Sequence, residues 1–360
     1  RLHPDSCSEI LIDGGPSKLE PVLLGALLII SFMVAFAIGS NDEAMAPAVG
    51  AKVFTVRTAV SIGGLITVVG AVSMGGNVSE KVGSDMVRGL TLTTEMVFAI
   101  LISMAIWLLI ASATRGLPIS TTQCIVGSVI GVAIFAPFVG YSGWGLEAID
   151  WFVVLEVFAG WVISPVIGFL VAAGVFALVR RNQKRAQGLT DLDRQERFAA
   201  YGLAAFLIWT SLSRGGNDVA NAIAPLIVLP DFMGTIELGL IVLPAVIVPL
   251  IIGGIGMALG LIVVGRKVIR TLATEVVTLS PSSALAASVS VALIMFVGTL
   301  LGLPLSGTHV LVAALIAVGW VSATPVQMKQ VKDILISWIV TVPISAVLGV
   351  AVLWVILGFI

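Results

Sequence analysis

Ten long apolar runs divide this chain, and they constrain its fold more than any other feature. They lie at about 21–38, 56–74, 96–113, 124–140, 151–179, 199–212, 236–264, 284–302, 310–321 and 334–360. Most come close to, or exceed, the roughly 20 residues that a helix needs to cross a bilayer. Charged residues make up 11% of the chain, against about 25% in a soluble domain. The sequence therefore predicts an all-α polytopic membrane protein with about 10–12 membrane segments.

One hydrophilic stretch separates two halves of similar length. Residues 180–197 read RRNQKRAQGLTDLDRQER and carry six of the nineteen basic residues. By the positive-inside rule, this stretch is expected to be a cytoplasmic loop. The expected organisation is an extracytoplasmic leader at 1–20, a first membrane bundle at 21–179, the loop, and a second bundle at 198–360. The N-terminus is expected outside a plasma membrane.

A polar cluster follows an apolar run in each half. GSNDEAMAP occupies 39–47 and GGNDVANAIAP occupies 215–225. Aligning them places Asn41 over Asn217 and Asp42 over Asp218. A second pair follows in the same order, with GLPISTTQCIVG at 116–127 and GLPLSGTHVLVA at 302–313.

A third and weaker match is TTE at 93–95 against ATE at 273–275. Three matches in the same order, about 180 residues apart, indicate an internal duplication. Five apolar runs precede the basic stretch, so the second half is inverted relative to the first if all five cross. The run at 124–140 could instead be re-entrant. Two inverted-topology repeats with broken or re-entrant helices are typical of secondary transporters, whose site lies at the repeat interface near the midplane.

The duplicated Asn-Asp pairs are candidates for a cation site. A carboxylate at membrane depth costs several kcal/mol and is usually functional. Carboxylate and amide oxygens suit a hard cation, so sodium or a proton is expected, with backbone carbonyls freed where helices break. The predicted cation ligands are Asn41, Asp42, Asn217 and Asp218, and the predicted helix breakers are Gly39, Pro47, Gly215, Gly216 and Pro225.

The second motif pair predicts two helix starts that bind an anion. Each copy places Gly-Leu-Pro and then hydroxyl residues before an apolar run, which is typical of a capped helix N-terminus. Such a terminus offers free N–H donors and a partial positive charge, and the hydroxyls add donors. A purely structural cap is the alternative. The predicted anion ligands are Ser120, Thr121, Thr122 and Gln123 in the first copy and Ser306, Gly307, Thr308 and His309 in the second.

Three further acidic residues are possible gate or cation residues. Glu43 has Val219 as its counterpart, so it breaks the symmetry of the repeats and is expected in a different environment. Glu95 and Glu275 match each other, and a position at the membrane interface is the alternative for both.

Two arginines lie just outside the motifs. Arg115 and Arg214 are expected at the membrane interface or in a gate, not as ligands. His309 is expected to orient or pack against its helix start. A Ser306–His309 hydrolase would need a buried acid to orient the imidazole and a nucleophile elbow, so we do not expect an enzyme.

The motifs resemble the inorganic phosphate transporter (PiT) family of sodium– or proton–phosphate symporters. GGNDVANAIAPL is similar to the family's Gly-x-Asn-Asp-Val-x-Asn signature, and both Gly-Leu-Pro motifs are similar to its Pro-x-Ser-x-Thr-His element. Residues 265–288 are similar to the stretch between them. Met45 stands where the family has Asn, and Gln123 stands where His is common, which leaves these roles open in the first half.

The resemblance implies uptake of phosphate down a cation gradient by a protein that is built of inverted helical repeats and forms a homodimer. It also implies that the Asn-Asp pairs bind the cation and the Ser/Thr elements bind phosphate. Phosphate beside two aspartates brings the site to about −3 or −4, which is untenable in low dielectric without cations. We therefore expect about two or three coupling cations, fewer if an acid takes a proton.

The leading hypothesis is a sodium-coupled phosphate symporter with alternating access around a midplane site. A proton-coupled phosphate or sulfate symporter is the main alternative, and an anion channel is a distant one, since aspartates would oppose anion flux. Sodium ions are expected as coupling ions, with no other cofactor. A net charge of −1 gives no indication of nucleic-acid binding.

Overall fold

The structure is a computed structural model that describes residues 21–83, 86–114, 116–227, 232, 234–238 and 241–358. The predicted leader at 1–20 and Arg115 lie outside the described residues. Twelve α-helices are found in the described part of the chain: α1 (Pro21–Ser40), α2 (Ala46–Gly50), α3 (Val56–Gly83), α4 (Thr94–Thr114), α5 (Thr121–Phe135), α6 (Trp151–Gln183), α7 (Leu189–Ile227), α8 (Ile247–Val263), α9 (Arg266–Glu275), α10 (Pro281–Leu300), α11 (Gly307–Ser322) and α12 (Met328–Gly358).

The helices confirm a polytopic membrane protein. In the described part of the chain, seven helices are long and apolar enough to cross a membrane, and there are eight if the bent pair α8–α9, with an angle of 61°, forms one broken span. α11 is shorter, at 16 residues. A two-stranded antiparallel hairpin, β1 (Thr235–Leu238) with β2 (Ile241–Pro244), departs from a purely helical fold.

The helix contacts follow a twofold pattern that links the halves. α1 packs on α8, and α3 packs on α7. Likewise, α5 packs on α12, and α11 packs on α6. Each of the two hydrophobic cores draws residues from both halves. The predicted bundles at 21–179 and 198–360 are therefore interleaved and do not form separate bodies.

Glycines allow the helices to cross at close range. A Cβ at Gly70 of α3 would collide with the Leu212 carbonyl of α7, and a Cβ at Gly215 would lie 2.6 Å from the Thr67 carbonyl oxygen of α3. At the equivalent crossing, a Cβ at Gly39 of α1 would collide with the Met257 carbonyl of α8. Backbones approach this closely in membranes only where a side chain is missing.

The predicted helix break in the second repeat is wrong. α7 continues through Gly215, Gly216 and Pro225, and the two glycines allow the close packing on α3 instead of bending the chain. The first repeat does break: α1 ends at Ser40, and α2 begins at Ala46. Residues 41–45, which include Asp42 and Glu43, form that break.

We expect Gly70→Ala to destabilise the protein. The new methyl group would force α3 and α7 apart, and overpacking of this kind costs about 1–3 kcal/mol. Gly76→Ala, in the same helix, is a matched control because nothing lies within 4 Å of its Cβ position. Thermal unfolding in detergent should separate the two variants. Equal melting temperatures would contradict the close crossing.

The predicted cytoplasmic loop at 180–197 is mostly helical. α6 continues to Gln183 and α7 begins at Leu189, so only 184–188 lies between the two helices. Arginine, glutamine and glutamate are good helix formers once a helix leaves the lipid.

At the other end of α6, Asp150 caps the helix by accepting bonds from the N–H groups of Phe152 and Val153. A hydrogen bond from Arg88 is the main cause that lowers the pKa of Asp150, and the bonds from these two N–H groups lower it further.

Candidate functional site

Both predicted helix starts are confirmed. α5 begins at Thr121, and its N-cap Ser120 accepts a hydrogen bond from the N–H of Gln123 at 3.4 Å. α11 begins at Gly307, and its N-cap Ser306 accepts from the N–H of His309, also at 3.4 Å. The two serines therefore hold the helix starts in shape. The Ser120 hydroxyl also lies 3.4 Å from Thr122 Oγ1.

The two asparagines connect each Asn-Asp motif to a helix start. Asn41 Nδ2 donates to the Leu117 carbonyl at 3.0 Å, and Asn217 Nδ2 donates to the Leu303 carbonyl at 3.0 Å. These leucines are equivalent residues of the two Gly-Leu-Pro turns. The Asn amides thus fix the geometry between the two motifs of each repeat.

The acceptor oxygens of the two asparagines differ. Asn41 Oδ1 accepts from the N–H of Ile119 at 2.9 Å, so it is engaged within the protein. The Oδ1 atoms of Asn217 and Asn221 are buried without a hydrogen-bond partner. A buried carbonyl oxygen without a partner is costly, and it suits a cation. Asn221 lies in the second copy, at the position where the first copy has Met45, and the list of predicted ligands omitted it.

An ion cluster lies between the two repeats. Arg214 Nη1 contacts Asp42 Oδ1 at 3.3 Å and Glu43 Oε1 at 2.8 Å, and its Nη2 contacts Asp218 Oδ2 at 3.2 Å. Arg214 is 3% exposed, and the three acids are 0–3% exposed. Three carboxylates face one guanidinium, so two negative charges are in excess when all four groups are ionised.

The expectation that Arg214 lies at the membrane interface is wrong, and a role in a gate stays a prediction. Its side chain is buried at the centre of the ion cluster, and the unbroken α7 carries Arg214 one turn before Asp218 on the same face. That i, i+4 spacing was visible in the sequence and could have identified the pair. The contacts with Asp42 and Glu43 cross between the repeats and could not have been identified from spacing.

The helix starts meet the acids across the repeat interface. Thr308 at the start of α11 donates to Glu43 Oε1 at 2.8 Å. Thr121 at the start of α5 lies close enough to Asp218 to interact with its carboxylate. The two starts also touch each other, since Thr122 Oγ1 donates to the Leu305 carbonyl at 3.3 Å. The structure therefore brings the predicted cation residues and the predicted anion residues into one site.

Gln123 and His309 line a different part of the protein. Together with Trp161 and Trp338, they line a mostly apolar groove between α6 and α12. The His309 ring lies against the Trp338 ring at a centroid distance of 3.8 Å, and His309 Nδ1 lies 3.4 Å from the Trp161 carbonyl oxygen. These contacts favour the packing role for His309 over direct contact with the ion cluster.

The acids predicted as a matched pair are not brought to the site. Glu95 lies half-buried in the first turn of α4, and Glu275 is exposed as the last residue of α9. The two helices differ in length and position, so the TTE and ATE match is not a structural equivalence. In the described part of the chain, neither acid forms an ion pair with Arg214.

The arrangement is suited to binding both signs of charge. Two capped helix starts offer N–H and hydroxyl donors to an anion, and the carboxylates with the free amide oxygens suit a hard cation. In the described residues, no group of three or more His, Cys, Asp and Glu residues is placed to hold a metal ion.

Comparisons with known proteins find relatives that are described as phosphate transporters or permeases. The model of a phosphate transporter family matches residues 38–349. The "Putative phosphate permease" of Thermococcus kodakarensis is 30% identical, with 92% of this chain and 97% of the relative covered. The chloroplastic inorganic phosphate transporter 2-1 of Arabidopsis thaliana is 28% identical, with 92% of this chain and 71% of the relative covered.

A solved structure described as the sodium-dependent phosphate transporter is also similar. It superposes with a TM-score of 0.79 at 28% identity, covering 93% of this chain and 99% of its own. The family match at residues 38–349 includes most of both repeats and the whole site.

Proposed function

The chain belongs to the phosphate transporter family, and from that membership we propose that it imports inorganic phosphate by symport with sodium ions. Membership of a transport family makes it a carrier and not an enzyme. The finer proposal concerns the coupling ion and the mechanism, in which the site opens alternately to the two sides of the membrane.

The meeting of the two helix starts with the ion cluster carries this proposal. Thr308 contacts Glu43, and Thr121 contacts Asp218, so each anion-binding element of one repeat touches an acid of the other. An anion bound between the helix starts would lie close to the acids. Its charge would be tolerable in low dielectric only if cations bound with it.

Coupling follows from that electrostatic dependence. Asp42, Asp218 and the free Oδ1 atoms of Asn217 and Asn221 are hard oxygen donors of the kind that sodium binds. Phosphate makes cation binding more favourable, and the cations make phosphate binding more favourable. A site at the interface of two inverted repeats can expose this load alternately by rocking one part against another.

The first test is uptake of radiolabelled phosphate into proteoliposomes. An inward sodium gradient, at equal pH on both sides, should drive accumulation, because the carboxylates bind sodium together with phosphate. Replacing external sodium by potassium, or adding a sodium ionophore, should abolish accumulation. Uptake that ignores sodium but follows an imposed proton gradient would overturn sodium coupling and make a buried carboxyl the proton carrier.

We further propose that the protein lies in the plasma membrane as a homodimer, with its N-terminus outside. This part rests on the family resemblance and on the basic residues around 180–197. Crosslinking in native membranes and protease accessibility of each face would test it.

A further inference from the structure

Three departures from the twofold symmetry of the repeats meet in one place. Glu43 has Val219 as its counterpart, and Gly307 has Thr121. Arg214 aligns with Ile38 at the offset that pairs Asp42 with Asp218. Arg214 links them at the start of α11: it contacts the Glu43 carboxylate and lies against Gly307, and Glu43 also accepts a hydrogen bond from the next residue, Thr308. Departures scattered through a duplicated chain would have no reason to meet, so this group needs a common explanation.

Gly307 leaves room for the guanidinium. A Cβ at this position would collide with Arg214 Nε and lie 2.9 Å from Cζ, so Arg214 rests directly on the first residue of α11. Its Nε is buried without a hydrogen-bond partner. A buried N–H donor without an acceptor is costly unless a ligand satisfies it. A helix N-terminus with an adjacent arginine donor is suited to an oxyanion.

The carboxylate of Glu43 already occupies the place between Thr308 and Arg214 where an oxyanion would bind. Its Oε1 accepts from Thr308 Oγ1 at 2.8 Å and contacts Arg214 Nη1 at 2.8 Å. A hydroxyl at a helix start and a guanidinium are the partners that a phosphate oxygen would use. The other oxygen, Oε2, is buried without a partner. Glu43 therefore binds as a small oxyanion that is tethered to the chain.

We propose that Arg214 and Thr308 form an oxyanion subsite for phosphate, and that Glu43 is a built-in competitor that phosphate must displace from it. The inference rests on the proposed function and deepens it. Competition lowers apparent affinity, because only the fraction of molecules with Glu43 displaced can bind phosphate there. The first-repeat break between α1 and α2 gives Glu43 a short segment of non-helical backbone on which to move.

The proposal gives opposite expectations from a cation-ligand role for Glu43. Glu43→Val, which installs the residue found at the counterpart position, should lower the Michaelis constant for phosphate about tenfold. It should also tighten equilibrium binding of radiolabelled phosphate to the detergent-solubilised protein. If Glu43 served only as a cation ligand, both affinities would weaken. Unchanged or weaker phosphate binding by a folded variant overturns the proposal.

A second substitution and a control protect this test. Glu43→Gln keeps an acceptor for Thr308 but removes the charge, so it should shift affinity in the same direction if Glu43→Val folds poorly. Glu196→Gln is the matched control. Glu196, a residue of α7, is also a carboxylate at a helix start: it accepts from the Ser282 N–H at 2.9 Å, in the first turn of α10, a helix that contains none of the ion-cluster residues. Its removal should leave the phosphate Michaelis constant unchanged.

Arg214 is tested in the Glu43→Val background. Arg214→Gln there should weaken phosphate binding at least tenfold, because a charge-assisted bond to the anion is lost. The phosphate affinity of Glu43→Val/Arg214→Lys should lie between those of Glu43→Val and Glu43→Val/Arg214→Gln, since lysine keeps a charge without the planar guanidinium. Unaltered phosphate binding by Glu43→Val/Arg214→Gln overturns the subsite.

Running the set with radiolabelled sulfate separates the two levels of inference. If the wild type transports sulfate and not phosphate, the proposed function fails, and the same affinity shifts measured with sulfate still test the subsite. If phosphate is transported but the Glu43 and Arg214 variants show none of the expected shifts, only the subsite fails.

Discussion

Asp218→Asn should lower sodium-driven phosphate uptake by roughly ten- to a hundredfold while the protein stays folded. The substitution preserves the size of the side chain but removes its negative charge. In the wild type, Asp218 Oδ2 lies 3.2 Å from Arg214 Nη2, and the carboxylate also interacts with Thr121. Loss of a charged hydrogen-bond partner costs about 1.5–3 kcal/mol. Since the same carboxylate is proposed to bind sodium, the loss should appear mainly in the sodium dependence of uptake.

Asp42→Asn should act in the same direction, because Asp42 contacts the other side of the same guanidinium at 3.3 Å. Asp193→Asn is the matched control: it lies on α7 with Asp218 but is exposed. Initial uptake rates at several sodium concentrations, with a melting curve for each variant, provide the measurement. Normal uptake by both Asp42→Asn and Asp218→Asn would remove the basis for the proposed cation site.

Gly307→Ala should also strongly reduce uptake, although it adds only one methyl group. The new Cβ would collide with Arg214 Nε, and the guanidinium cannot move aside freely because three carboxylates hold it. Displacing it would disturb the ion pairs on both repeats. We expect a loss of at least tenfold in phosphate affinity, since each charge-assisted bond that is lost costs about that much.

Gly174→Ala controls for the general effect of a methyl group on a membrane helix, because nothing lies within 4 Å of its Cβ position. Phosphate binding and uptake should be measured together with thermal unfolding. A Gly307→Ala protein with normal phosphate affinity would show that the space beside Gly307 is not needed by Arg214.

The sequence predicted those parts of the site that depend on local signals. Pro118 and Pro304, followed by Ser120 and Ser306, identify two capped helix starts, because capping depends on residues a few positions apart. The Asn-Asp pairs could also be identified, since a carboxylate in an apolar setting is conspicuous wherever it lies.

The parts that were missed depend on packing between distant segments. The contact between Arg214 and Glu43 joins residues from opposite halves and arises only once α7 passes the break after α1. Gly215 looked like a helix breaker, but glycine also permits close helix crossing, and only the position of α3 decides between the two. His309 is likewise adjacent in sequence to Thr308, which contacts the ion cluster, but its ring faces the groove formed by α6 and α12.

The interleaved packing also has a consequence for biogenesis. α1 finds its partner in α8, which lies more than two hundred residues later in the chain. At about 5–20 residues per second, a ribosome needs roughly ten to forty seconds to make the intervening chain. Until then, the small-residue face around Gly39 must lie against lipid or against an insertion factor, so the first half of this carrier completes its fold only after the second has entered the membrane.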